Sequence, residues 1–130
     1  MREIYHKIMQ LSRDYLEVHH YILNSSMKTK NYEESINKLT EIEREIRLQQ
    51  TQLEKHKKSS DFEFFNEHLR NIGWMVSGLK TVINGLSTKA NNTGKYGFFQ
   101  YRKDLKNLDE THKIFEISGN YLNSKASEYR

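Results

Sequence analysis

Histidine is the residue best placed to do acid–base or metal chemistry in this chain, because its imidazole titrates near neutral pH and ligates metals. The chain has six of them, and their spacing decides what they can do. A carboxylate-bridged di-iron bundle needs Glu-x-x-His on two helices and an inward glutamate from each of the other two. Glu17 and His20 have that spacing, but no copy falls on a second helical segment and both fall off the apolar stripe of their segment. No two histidines stand four apart, so paired-histidine ligation from one helix is missing as well. His112 lies on an apolar stripe, where a buried imidazole with one hydrogen-bond partner is the expected state. Without cysteine the chain has no thiolate zinc site, no disulfide and no thiol nucleophile. Gly94-Lys95 lacks the earlier glycine, the following Ser or Thr and the preceding strand of a phosphate-binding P-loop. No metal and no other cofactor is therefore expected.

One spacing supports a specific enzymatic alternative. In "RDYLEVH", Arg13, Asp14 and His19 are set as Arg-polar-x-x-x-x-His, which resembles the motif of HEPN-type ribonucleases. The resemblance covers seven residues and falls in the first helix, earlier than is usual in that family. It implies a small all-helical domain that dimerises, so that two motifs form a metal-independent RNA-cleaving cleft. His19 would then be the general acid or base, and Arg13 would stabilise the charge of the developing phosphorane. The plain alternative is a surface histidine near Glu17.

A second group of residues suits binding rather than catalysis. "NNTGKYGFFQYRK", residues 91 to 103, joins a glycine-broken polar stretch to four aromatics flanked by cations. If the helices alternate in direction, this loop shares an end of the molecule with "KTKN". That end then gathers Lys28, Lys30, Lys89, Lys95, Arg102, Lys103 and Lys106, chiefly against Asp104. Periodicity turns Phe98 and Tyr101 inward and leaves Tyr96 and Phe99 for solvent. The stretch is thus first a helix start that caps the core. It is second a surface, comprising Lys28, Lys30, Lys95, Tyr96, Phe99, Arg102, Lys103 and Lys106, on which exposed aromatics beside cations anchor a protein or stack on bases.

Four amphipathic segments must position these groups. In the first, Ile4, Ile8, Leu11, Tyr15, Val18 and Ile22 alternate spacings of four and three along one stripe, predicting a helix over about 2–27. Asn31 with Glu34 forms a capping-box pattern that opens a second helix over 31–58. Its stripe, Tyr32, Ile36, Leu39, Ile42, Ile46 and Leu53, slips in phase near Ile42. Ser60 with Glu63 predicts the start of a third helix over 61–87. There Phe62, Phe65, Leu69, Ile72, Val76, Leu79, Ile83 and Leu86 keep the repeat throughout. Gly73, Gly78 and Gly85 interrupt this segment, each at a cost of about 0.5–1 kcal/mol relative to alanine, which points to close approach of a neighbouring helix. The fourth helix, over 97–129, carries Phe98, Tyr101, Leu105, Leu108, His112, Phe115, Gly119, Leu122, Ala126 and Tyr129 on one side. Short connections between long helices predict an all-α, antiparallel up-down-up-down four-helix bundle with coiled-coil-like packing, as one domain over 1–130.

The composition agrees with that architecture. With 35% hydrophobic and 29% charged residues and no proline, 130 residues support one thin, elongated core. Charges at Arg2, Glu3, Lys7 and Arg13 interrupt any signal-peptide-like run, and no stretch approaches the length of a membrane span, so a cytoplasmic protein with no membrane partner is expected. A net charge of +4 is compatible with an anionic partner without requiring one. The first expectation is a non-enzymatic bundle that binds another macromolecule, most simply a protein, as an adaptor, inhibitor, immunity factor or complex subunit. Nucleic-acid binding, with HEPN-like cleavage as its enzymatic form, is the alternative. The lean composition also admits a homodimer, with Trp74, Met75 and Val82 as an apolar seam to which Tyr5 and Met9 contribute.

Overall fold

The computed structural model describes residues 1–25, 30–90 and 97–130, the side chains of 88–90 excepted. It contains α1 (Arg2–Leu23), α2 (Tyr32–Leu53), α3 (Phe62–Ala90) and α4 (Phe98–Asn123). Short 3-10 turns at Glu54–His56 and Ala126–Tyr129 follow α2 and α4. These two helices are therefore shorter than the periodicity predicts, because each tightens into a 3-10 turn where its final carbonyls seek partners. Asn31 caps α2 as expected, its side-chain oxygen accepting the Glu34 N–H at 2.9 Å. The next start is displaced from Ser60: α3 begins at Phe62, and the Ser59 hydroxyl accepts the Asp61 N–H at 3.2 Å.

The apolar stripes meet in one core built from all four helices. Along α3, Phe65, Leu69, Ile72, Val76, Leu79 and Ile83 are completely buried, and this helix packs against each of the other three. Removing each such side chain from water contributes on the order of 1.5–3 kcal/mol. Partners on α3 and α4 and the residues flanking them run in opposite order: Asp61 with Tyr129, Phe64 with Tyr121, His68 with Ser118, and Gly78 beside Leu108. Those on α1 and α4 do the same, from Tyr5, whose hydroxyl donates to the Leu122 carbonyl at 2.8 Å, through Tyr15 with Phe115 to His19 with His112. Both pairs are thus antiparallel. On α1 and α3 the order is shared, Tyr5 with Phe65 and Ser12 with His68, so these helices run the same way.

In α2 the repeat through Ile42, Ile46 and Leu53 includes a polar member. Gln49 is buried between Ile46 and Leu53, a polar residue on the inward face of the least regular helix. At the lower end of the bundle, buried Asp61 receives the Tyr129 hydroxyl and faces Lys125 Nζ at 3.6 Å, which ties the terminal turn to the start of α3. Tyr129 also stacks on Tyr5, with ring centroids 4.9 Å apart. On the other side, Lys80 of α3 bonds to Glu43 and to Thr40 of α2.

Two of the α3 glycines separate by environment. A Cβ on Gly78 would lie 3.0 Å from Leu108 Cδ1, so a glycine here lets α4 approach closely, whereas a Cβ on Gly73 meets nothing within 4 Å. Gly73→Ala should therefore raise stability by about 0.5–1 kcal/mol through helix propensity alone. Gly78→Val should lower it by about 1–3 kcal/mol through overpacking against Leu108. Urea unfolding of the two variants beside the parent chain checks both signs.

Candidate functional site

The residues expected to act together fall into three places. Arg13 is exposed and donates to Gln10 Oε1 at 2.9 Å. His19 turns instead toward α4, its Nδ1 paired with the Tyr15 hydroxyl at 2.9 Å and its ring 5.5 Å from that of His112. Six residues along one helix separate the two by about 9 Å of rise, and the contacts each makes lie on different sides of α1. Burial and the neighbouring His112 lower the pKa of His19, with Asp109 opposing the shift. His112 pairs with Glu116 through Nε2 at 2.7 Å, and its Nδ1 is buried with no hydrogen-bond partner among the described residues. Among those residues, no three His, Asp or Glu side chains converge as metal ligands.

The aromatic and basic surface is partly described. Lys28, Lys95 and Tyr96 lie outside the described residues, as do all of residues 91–96; Lys30 is half-buried. Phe99 is 85% exposed, as its position on the helix requires, and Arg102, Lys103 and Lys106 are exposed beside it. Phe98 departs from the expectation that it turns inward, being 66% exposed, whereas Tyr101 does pack against the core. The cause is position along the helix. Helix α1 ends at Leu23 and meets α4 at His19 with His112, so its last turn reaches roughly to Leu108. Phe98 lies about 15 Å farther along α4. The stripe gives it the right face, but Phe98 is the first residue of α4 and stands three residues before Tyr101, the first residue of this helix to pack against the core. Arg102 covers part of the Phe98 ring, its guanidinium carbon 5.6 Å from the centroid, and Phe98 and Phe99 meet edge to face.

The apolar seam does not survive as a surface. Met75 and Val82 are fully buried in the core of this one chain, and Tyr5 is buried with them, while Trp74 is 52% exposed. Their different angular positions on α3 are the reason: Met75 and Val82 flank the stripe closely enough to be covered by neighbouring helices, and Trp74 does not.

A polar cluster inside the bundle has no counterpart among the motifs and spacings of the sequence. His68 of α3 is completely buried, with Nε2 2.7 Å from the Ser12 hydroxyl of α1 and Nδ1 2.6 Å from the Ser118 hydroxyl of α4. The carboxamide of buried Asn71 donates to Ser118 at 2.9 Å, and the imidazole stacks on Phe115 with centroids 5.2 Å apart. Both ring nitrogens are thus satisfied in the neutral state, one donating and one accepting. Burial lowers the His68 pKa from 6.5 to about 4. One signal does exist along the chain, since His68 stands three after Phe65 and four before Ile72, on the edge of the apolar stripe. What the spacing lacks is any indication that serines on two other helices meet it.

Comparison with family models, with curated proteins and with solved structures gives no match for this chain. Among the described residues no helix is long and apolar enough to cross a membrane.

The buried imidazole makes stability depend on pH in a defined direction. Because its pKa is lower folded than unfolded, the unfolded chain binds the proton more tightly. The contribution of neutral His68 is complete above pH 6.5 and is lost as pH falls from 6.5 to about 4. The loss should be about 3 kcal/mol across that window. A His68→Gln variant should show a flatter acid limb than the parent in urea unfolding at a series of pH values.

Proposed function

We propose that this protein acts by binding another protein, with the first turns of α4 as its docking surface. The observation that carries this reading is the exposure of Phe98 and Phe99 at 66% and 85%, side by side at a helix start. Leaving a phenylalanine in water forgoes on the order of 1.5–3 kcal/mol of burial, and adjacent exposed aromatics are characteristic anchors in protein interfaces. Arg102, which lies against Phe98, and Lys103 and Lys106 follow them along α4, and Leu105 and Asp109 complete a shallow depression with these cations. Such a surface fits a partner with an apolar pocket for the phenyl rings and acidic groups at its rim. Lys28, Lys30, Lys95 and Tyr96 are assigned to the same surface from the sequence. An adaptor, inhibitor or complex subunit would use it in this way, without chemistry of its own.

Affinity capture with the parent chain and a Phe98→Ala, Phe99→Ala variant should recover a discrete protein with the parent only. Each truncation should then cost about 2 kcal/mol or more in a titration against that protein. The affinity should fall only modestly when salt is raised, because screening weakens the acidic rim but not the phenyl anchors. A log–log salt slope near −3 to −4, expected from neutralising about four phosphates, would instead assign the surface to nucleic acid.

A further inference from the structure

A separate cavity of about 350 Å³ opens between α1 and α4 directly over the Ser12–His68 pair. Its lining divides by chemistry. Met9, Leu16 and Phe115 form apolar wall, while Arg13, Asn120 and Asn123 bring a guanidinium and two carboxamides. Gly119 matters through what it lacks: a Cβ there would stand 3.3 Å from His68 Cε1, so the glycine keeps a side chain from crowding the enclosed imidazole at the cavity wall. Ser12 is 8% exposed and lies on the lining. Whichever His68 tautomer is present, its oxygen keeps a lone pair, and when Nε2–H donates to it the hydroxyl proton can turn from the Ile8 carbonyl, 3.3 Å away, toward a ligand. The cavity therefore has an adaptable polar floor, already fixed from below by Ser118 and Asn71.

We infer that this cavity binds a small carboxylic acid with an apolar body about the size of one ring. Pockets of this volume, mostly apolar with a few placed polar groups, are the usual form of a small-molecule site. Among the described residues Arg13 is the only Lys or Arg on the lining, and with one N–H committed to Gln10 its planar fork retains further donors for a carboxylate. Glu116, the only carboxylate among those lining residues, is hydrogen-bonded to His112 at 2.7 Å and largely exposed, so solvent screens its charge. The apolar body would lie against Met9, Leu16 and Phe115, and the Asn120 and Asn123 side chains supply neutral hydrogen bonds near the head group.

The test uses three probes that share one ring and differ in head group: benzoate, benzyl alcohol and benzylamine. Calorimetric titration of the full chain should show benzoate binding at least about tenfold more tightly than the other two. Arg13→Gln, at an exposed position that leaves the core untouched, should remove about tenfold of that affinity, the effect of one charge-assisted hydrogen-bonded pair. Gly119→Leu should abolish binding of all three by filling the space above His68, with circular dichroism reporting whether its helices remain. Absence of benzoate binding at millimolar concentration overturns the inference. So does a benzoate affinity that Arg13→Gln leaves unchanged, or a preference for benzylamine, which would make Glu116 the residue that selects the head group.

Discussion

The bundle depends on keeping one side of α3 dry. Six stripe side chains from Phe65 to Ile83 are completely buried along this helix, more than any neighbour provides, and no single helix is wide enough to cover them. Helices α1, α2 and α4 each supply part of the cover, and α4 comes close where Gly78 removes a side chain opposite Leu108. The cost of glycine within α3 is offset by this contact at Gly78. At Gly73 a methyl group would meet no neighbour within 4 Å, and packing supplies no such offset.

Within that apolar layer the Ser12–His68–Ser118–Asn71 cluster is the exception, and its satisfaction is what makes it tolerable. A buried imidazole without partners would cost several kcal/mol, but here two hydroxyls from different helices occupy its two nitrogens. The same bonds constrain α1, α3 and α4 at one level, because sliding any of them by a turn would leave buried polar atoms unpaired. A cluster of this kind both sets register and forms the floor of the cavity beside it. Structural and binding roles are therefore not alternatives at His68.

The exposed aromatic pair and the cavity over His68 reflect position at a helix start and a small residue rather than any motif. Phe98 is exposed at the first residue of α4, before the core contact made by Tyr101, and Gly119 keeps a side chain off the imidazole at the cavity wall. Arg13 and His19 illustrate the opposite case. A spacing that looks catalytic along the chain sends its two members to different neighbours, Gln10 on one side and Tyr15 with His112 on the other.

The amino-acid sequence by itself determined the four helices, their buried stripes and the cap at Asn31, because these follow from local hydrogen bonding and from a period of 3.6 residues, both of which act over a few neighbours. It also placed Phe99, Arg102, Lys103 and Lys106 on an outward face. Tertiary structure alone decided the depth to which each stripe is covered: Phe98 emerges, Met75 and Val82 are enclosed, and Trp74 is left half in water. It alone brought Ser12, His68 and Ser118 together across separations of 56 and 50 residues. Periodicity specifies direction around a helix axis, whereas burial and hydrogen bonding between helices require a partner at the same height, and that height is set by how all four helices pack at once.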